Sequence, residues 1–205
     1  NGIDTHFQIK VGDNIERIVE ALQHSLSRSE AVICCGGLGP TQDDITRDAI
    51  ATVMGVTLES NQEVERHIRE IFESRGRHMP LNNLRQSLVP KGASAIKDQP
   101  GTAPGLICPI GNKVLYAVPG VPYELKQIMN STILPDLVER SGAKTVIGSR
   151  VLRTWGHSES KLAELLENRI QILNPTKTAT IAFLASGIEG LKVRITAKAA
   201  NDAEV

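Results

Sequence analysis

The sequence predicts an α/β domain with a mostly parallel sheet, followed by a small α+β domain. Two apolar segments, Ala31–Cys35 and Lys113–Val118, each end abruptly in a glycine turn and lead into a helical pattern, as buried strands of a parallel sheet do. Near the C-terminus, an alternating segment precedes one helical and two further strand patterns. We therefore divide the chain into residues 1–143 and residues 144–205.

Composition limits the range of partners. The 205 residues suffice for one α/β domain and a small companion. With 23 basic and 23 acidic residues the formal charge is zero, so we expect no nucleic-acid partner and no membrane surface, and anion recognition has to be local. No apolar stretch approaches the roughly 18 residues of a membrane span, and no signal peptide is visible, which favours a cytoplasmic protein.

The cysteines predict neither a disulfide framework nor a metal site. The chain has three, and Cys34 and Cys35 are adjacent within a predicted core strand. We expect buried thiols in a reducing compartment.

The N-terminal segment predicts a βαβ unit. His6–Val11 alternates like a short strand, and Gly12-Asp13 begins a helix with one apolar face. That helix leads into Ala31–Cys35, so a right-handed crossover is expected.

The first glycine turn, Gly36-Gly37-Leu38-Gly39, predicts a phosphate site. Glycines let the backbone approach a ligand, and the dipole of the following helix, with Asp44 as its N-cap and Gly55 as its stop, favours an anion.

Two carboxylates, Asp43 and Asp44, lie at the same turn and would repel a bare phosphate. A divalent cation, Mg²⁺ or a transition metal, would remove that conflict. The alternative is that the aspartates only cap the helix and the glycines only form a tight turn.

The second glycine turn, Pro119-Gly120-Val121-Pro122, can face the same crevice, because ligands of open parallel sheets bind beyond the carboxyl ends of the strands. Pro122 suits the first turn of the next helix. Glu124 in that turn is a candidate third metal ligand, although an acid is common there for dipole reasons alone.

Between the two turns, Ser60-Asn61 predicts the cap of a charged helix from Gln62 to about Arg75.

The segment Met79–Gln86 is rich in amide and charged groups, which either bind a polar ligand or form the solvent-exposed face of a helix. Asp98–Gly105 is a second glycine and proline loop.

The sequence of the second domain predicts the element order βαββ. Strands are predicted at Thr145–Thr154, Thr178–Leu184 and Leu191–Ala197, and Ser158 can cap the intervening helix. A piece of this size is expected to dock on the first domain or to pair with another copy, so we expect a homo-oligomer, a dimer.

Four ordered motifs resemble the N-terminal region of the CinA family of competence/damage-inducible proteins, whose first domain is similar to the three-layer molybdopterin-binding fold. The motifs are Gly36–Thr46, Gly101–Gly105, Pro119–Pro122 and Leu152–Glu159. Family members normally begin with a strand and helix that carry Gly-Asp-Glu and often end in a nicotinamide mononucleotide deamidase domain. We therefore expect the first strand and helix to precede Asn1 and the small domain to be incomplete at its C-terminus.

The resemblance implies a metal-dependent hydrolase that splits ADP-ribose into AMP and ribose 5-phosphate. Asp44 and Asp43 would be catalytic, and both would bind the metal together with Glu124. The residues implied to hold the phosphate and nucleotide are Gly36, Gly37, Gly39, Thr41, Gly101, Thr102, Gly105 and Gly120. Pyrophosphate hydrolysis needs charge neutralisation and an activated water, and no covalent nucleophile.

Two alternatives remain open. One is a molybdopterin-binding or adenylyl-transfer domain of molybdenum cofactor biosynthesis, which would bind pterin and use ATP. Asp43 counts against it, because molybdopterin adenylyltransferases often have arginine at that position, and the second domain also counts against it. The other is a non-catalytic dimerising scaffold.

Overall fold

The computed structural model describes residues 3–96, 100–142, 146–176, 179–186, 190–201 and 203–204. The chain divides into two compact units, Thr5–Leu137 and Val138–Val205 with Asn1–Asp4. The predicted boundary between residues 143 and 144 lies outside the described residues.

The first unit holds a four-stranded sheet, a two-stranded sheet and the helices around them. Its elements are α1 (Ile15–Arg28), β1 (Ala31–Cys35), α2 (Thr46–Met54), β2 (Leu58–Ser60), α3 (Gln62–Ser74), a 3₁₀ helix (Leu81–Ser87), β3 (Leu88–Pro90), β4 (Ser94–Ala95), β5 (Leu106–Ile110), β6 (Lys113–Val118), α4 (Pro122–Ile128), a π-helical turn (Met129–Ile133) and α5 (Leu134–Ser141), which crosses into the second unit.

The larger sheet has the strand order β1-β6-β5-β4. β1 runs parallel to β6, whereas β5 is antiparallel to both β6 and β4. The α/β class is confirmed, but the sheet is mixed rather than mostly parallel. The reason is local: only Gly111 and Asn112 separate β5 from β6, and so short a turn joins antiparallel strands only.

The inner strand β6 separates two apolar layers, because its side chains alternate between the faces of the sheet. Leu115 packs with Leu22 of α1 and Ile50 of α2. Tyr116 packs on the other face with Ile128 of α4. Helices therefore cover both faces of the sheet, which gives the three layers that the resemblance implied.

Strand β1 is less buried than its apolar sequence predicts. β1 lies at an edge of the sheet, and Ile33 and Cys35 on one of its faces are exposed. The expectation of a buried thiol is therefore wrong for Cys35. Cys34 is half-buried, and burial, with a smaller effect of Cys35, raises its pKa to about 11.

The segment His6–Val11 forms no strand. It pairs with no strand among the described residues and is exposed throughout, so its alternating pattern has no sheet against which to bury. The predicted βαβ unit at the N-terminus is therefore absent from the described residues. The helix of that unit does form, and the Asn14 side chain caps it by accepting from the amide of Arg17.

Helix-terminal signals are confirmed at two other positions. Asn61 caps α3 by accepting from the amides of Glu63 and Val64. Gly55 ends α2 in the left-handed conformation, with φ of 68°.

The second unit has the predicted βαββ order. Its elements are β7 (Val146–Thr154), α6 (Glu159–Thr176), β8 (Ala179–Ser186) and β9 (Gly190–Ala199). The strands form an antiparallel sheet in the order β7-β9-β8. The Ser158 hydroxyl accepts from the amide of Lys161 at the start of α6. Thr145 and Thr178, predicted as strand ends, lie outside the described residues.

Across the described parts of both units, none of the helices combines the length and apolar character needed to span a bilayer.

Candidate functional site

The turns that follow β1 and β6 lie side by side. The amide of Gly36 donates to the carbonyl of Val118 at 2.9 Å, and a Cβ built on Gly120 would lie 3.6 Å from the Cα of Gly36. They form one wall of a cavity of about 350 Å³. The cavity is lined by Gly36, Gly37, Leu38, Gly39, Asp44, Gln86, Thr102, Ala103, Pro119, Gly120, Val121 and Glu124.

Glycine is required at the first turn by backbone conformation. Gly36 and Gly37 have φ of 94° and 67°, which side-chain-bearing residues rarely adopt. A Cβ at Gly37 would also overlap the hydroxyl of Thr46. The turn therefore presents bare backbone to the cavity.

Two arginines hold the loop after this turn. Arg47 donates through Nη2 to the carbonyl of Leu38 at 2.5 Å. Arg85 of the 3₁₀ helix donates to the carbonyl of Thr41 at 3.2 Å and to Asp48 at 2.8 Å. Because these bonds connect the loop to α2 and to the 3₁₀ helix, its shape is set before a ligand arrives.

Arg47 brings a buried positive charge next to the turn. Its side chain is fully buried, and Nε and Nη1 have no hydrogen-bond partner within the described part of the chain. Burial lowers its pKa to about 10, with Asp48 and Asp44 acting in the opposite direction. The guanidinium stays charged at neutral pH, so it partly offsets the carboxylates of the site. The sequence reasoning did not single out this residue.

Asp44 does not cap α2 as predicted. Its Oδ2 accepts from the amide of Thr41 at 2.9 Å and from the Thr41 hydroxyl at 2.5 Å. α2 starts after Ile45, and the amide of Thr46 donates to the carbonyl of Gly37 at 3.2 Å. A turn over Thr41–Asp44 thus separates the glycines from the helix, and the first amide of α2 already has a partner.

The contacts of Asp44 perturb its titration. Burial acts to raise the pKa of Asp44, but hydrogen bonds from Thr41 and Gly39 and the charge of Arg47 outweigh it, so the pKa lies below its usual value of 3.8. Asp44 is therefore ionised at neutral pH.

This shift predicts an acid-dependent loss of stability. A lowered carboxyl pKa contributes stability above about pH 4, and that contribution disappears as the pH falls through the folded-state pKa. We expect the stability difference between wild type and Asp44→Asn to be larger at pH 6 than at pH 2.5, measured by urea unfolding. Thr41→Val removes only the hydroxyl donor to Asp44. The change in its free energy of unfolding between pH 6 and pH 2.5 should lie between the changes for wild type and for Asp44→Asn. An equal stability difference between wild type and Asp44→Asn at both pH values would contradict a lowered pKa of Asp44.

Glu124 supplies a second carboxylate to the cavity. It lies in the first turn of α4, is 8% exposed, and accepts from the Tyr123 hydroxyl at 3.2 Å. That hydrogen bond raises the pKa of Tyr123. A Cβ at Gly101 would overlap the Glu124 carboxylate, so Gly101 makes room for it.

The structure brings together part of the predicted site. The predicted residues that line the cavity are Gly36, Gly37, Gly39, Asp44, Thr102, Gly120 and Glu124. Thr41, Asp43, Gly101 and Gly105 do not line it. Asp43 is exposed, whereas Gly105 is buried, and a Cβ built on Gly105 would lie 3.0 Å from the side chain of Ile96 and 3.3 Å from that of Ile128.

The three predicted metal ligands are not brought together. Within the described ranges, no group of three or more His, Cys, Asp or Glu side chains is close enough to hold a metal ion. Asp44 and Glu124 do line the same cavity. Mg²⁺ is commonly held by one or two carboxylates together with substrate phosphates and water, so this pair fits a phosphate-bound cation. Metal binding stays a prediction.

Five lining residues were not among the predicted site residues: Leu38, Gln86, Ala103, Pro119 and Val121. One signal pointed to Gln86, because Met79–Gln86 is rich in amide groups directly after the charged helix. The other four lie within the predicted segments Gly36–Thr46, Gly101–Gly105 and Pro119–Pro122, but in those segments the glycines and polar residues were selected and the apolar residues were not.

Comparisons with known proteins agree with this fold. A family model described as "Probable molybdopterin binding domain" matches residues 1–139, and the "Damage-inducible protein CinA KH domain" model matches residues 149–205.

CinA-like proteins of Frankia casuarinae and Gloeothece citriformis are similar to this chain, with 42% identity over 208 residues and 41% over 199 residues. The alignments cover 99% and 97% of this chain but 48% and 46% of those proteins, so the chain spans about half the length of these relatives.

A crystal structure of a CinA protein of unknown function from Thermoplasma acidophilum matches with a TM-score of 0.54 and 31% identity, over 60% of this chain and 72% of that one. The chain therefore belongs to the CinA family, with a molybdopterin-binding-type domain followed by a CinA KH domain.

Proposed function

We propose that the first domain binds a phosphate-bearing small molecule in the cavity whose wall the Gly36 and Gly120 turns form, and that a molybdopterin-type pterin is the ligand class. The observation that carries this proposal is the contact between two glycine turns at the carboxyl ends of a parallel strand pair. The helices that follow these strands, α2 and α4, pack on opposite faces of the sheet, and open α/β sheets bind ligands at such a topological switch point. The family model over residues 1–139 supports the choice of a pterin.

The cavity has the dimensions and lining expected for such a ligand. Its volume of about 350 Å³ falls within the range of about 300–1,000 Å³ typical of small-molecule sites. Bare glycine backbone can contact a phosphate closely, while Ala103 and Val121 offer apolar surface to a ring. This combination suits a molecule with a phosphate at one end and a flat organic group at the other.

A second candidate is metal-dependent hydrolysis of a nucleotide diphosphate, with ADP-ribose giving AMP and ribose 5-phosphate. It is favoured by the charge of the lining: Asp44 and Glu124 are both acidic, and no basic side chain is among the lining residues in the described part. Two carboxylates would repel a diphosphate unless a cation lay between them.

For this reaction, Asp44 and Glu124 are the residues that would hold the cation. A bound divalent ion would neutralise phosphate charge and lower the pKa of a water. The water oxygen would form a new P–O bond while the bridging P–O bond breaks, and the water protons would leave to the products and solvent. Asp44 suits this role because it is ionised at neutral pH.

Thermal unfolding with added ligands tests both candidates. A ligand at about 100 times its dissociation constant should stabilise the folded protein by about 2.7 kcal/mol and raise Tm by several degrees. We would compare molybdopterin, ADP-ribose, AMP and ATP, each with and without Mg²⁺, with unphosphorylated adenosine as the control.

The changes in Tm distinguish the two candidate functions from a non-catalytic scaffold. A shift with molybdopterin in the absence of metal supports pterin binding. A metal-dependent shift with ADP-ribose, accompanied by AMP release, supports the hydrolase. No shift with any phosphorylated compound would contradict both and leave the non-catalytic scaffold.

A further inference from the structure

We infer that Gln86 recognises the organic part of the ligand, through a hydrogen bond that its side-chain oxygen accepts from a hydroxyl or amine group of the bound molecule. This inference rests on the proposed function, because it assigns a role to one side chain of the same cavity. It adds a requirement that the ligand carry a neutral hydrogen-bond donor as well as a phosphate.

Gln86 differs from the other buried polar residues of its segment. The 3₁₀ helix Leu81–Ser87 buries Asn83, Gln86 and Ser87. Asn83 donates to the carbonyl of Pro80 at 3.2 Å, and Ser87 donates to the carbonyl of Leu84 at 2.7 Å. These two side chains therefore bind backbone of their own segment.

The Gln86 oxygen has no such partner. Gln86 is 2% exposed, and its Oε1 accepts no hydrogen bond from any residue that the structure describes. Of the three buried polar residues, it alone lines the cavity. A buried acceptor without a donor is costly in the free protein, and a ligand that supplies the donor removes that cost.

The chemistry of an amide oxygen selects the group that it contacts. It accepts hydrogen bonds and repels an ionised phosphate, so a phosphate is the wrong partner. Hydroxyl and amine groups, which sugars, purines and pterins carry, are the right ones. Gln86 thus contacts the organic part of the ligand, and the glycine turns contact its phosphate.

The position of Gln86 relative to the glycine turn is fixed by its neighbour. Arg85 donates to the carbonyl of Thr41 and to the carboxylate of Asp48. These bonds connect the 3₁₀ helix to the loop that follows Gly39 and to α2. The acceptor is therefore held at a set distance from the phosphate end of the site.

Gln86→Met tests the inference, because methionine has a similar length and no hydrogen-bonding amide. Gln62→Met is the matched control, since Gln62 is exposed on α3 and lies outside the cavity. Binding of molybdopterin, AMP, ADP-ribose and inorganic pyrophosphate, each with and without Mg²⁺, would be measured by calorimetry. We expect Gln86→Met to weaken the organic ligand that the wild type binds by about tenfold and to leave pyrophosphate affinity unchanged.

A ligand-free measurement accompanies the binding series. Because the Gln86 oxygen lacks a partner, Gln86→Met should unfold at the same temperature as wild type or at a higher one. A protein that fails to fold, or that melts well below Gln62→Met, would overturn the inference by showing that the amide holds the fold.

The binding outcomes separate the inference from the proposed function. If Gln86→Met binds every organic probe as wild type does, or weakens pyrophosphate equally, the inference fails and the proposed function stands. If wild-type protein binds none of the four probes, the proposed function fails and the inference with it.

Discussion

Replacing Gly37 by alanine is expected to destabilise the first domain by about 2–5 kcal/mol and to abolish ligand binding in the cavity. Two penalties add at this position. The φ of 67° disfavours any residue with a Cβ, and the new Cβ would overlap the hydroxyl of Thr46. Thr46 is only 6% exposed, so its side chain has little room to move away.

Gly55→Ala is the matched control. Gly55 has nearly the same φ, 68°, but a Cβ there would meet nothing within 4 Å. We expect a loss of about 1–2 kcal/mol from backbone strain alone, with ligand binding retained. Both variants would be compared by urea unfolding and by calorimetry with the ligand that stabilises wild type. Equal destabilisation by the two substitutions would show that the Thr46 contact is unimportant.

Asp44→Asn is expected to change function in opposite directions under the two proposed activities. If a cation lies between Asp44 and the phosphates, removal of the charge should reduce metal-dependent turnover by on the order of 100-fold. If the cavity binds a pterin phosphate without metal, the same substitution removes a repulsive charge and should tighten binding a few-fold. Asparagine keeps an acceptor for Thr41, so the fold should survive.

Glu124→Gln should act in the same direction as Asp44→Asn, because both carboxylates line the cavity. Asp13→Asn is the control for charge removal at an exposed position before α1. Asp43→Asn should have a much smaller effect than Asp44→Asn, since Asp43 is exposed and outside the lining. Turnover of ADP-ribose and binding of molybdopterin would be measured for all four variants. An unchanged rate and affinity for Asp44→Asn would remove Asp44 from both mechanisms.

The local elements could be predicted because their signals lie within a few residues of each other. Ala31–Cys35 and Lys113–Val118 have the apolar content of strands, and both form strands with the predicted bounds. Asn61 caps the start of α3 and Gly55 ends α2. Both act through backbone groups a few residues away, so the signal lies within a short stretch of sequence. The βαββ order of the second unit follows from the same short-range patterns.

The prediction for Asp44 failed because two local hydrogen-bonding solutions compete for one side chain. An aspartate before an apolar helical pattern suits an N-cap, but it also suits a turn closed by the threonine three residues earlier. The structure adopts the second solution, in which Asp44 accepts from Thr41. Nothing in the segment itself ranks the two.

The sequence by itself determined the strand, turn and helix units, the two glycine turns and the acidic character of the site, because each depends on residues that are neighbours in the chain. Tertiary structure decided which of them meet. The pairing of β1 with β6 brings Gly36 to Gly120, although 84 residues separate them, and the 3₁₀ helix brings Gln86 to both. Contacts of that separation depend on how whole layers pack, so the amide-rich pattern of Met79–Gln86 could suggest a polar-ligand role but could not place Gln86 beside the two glycine turns.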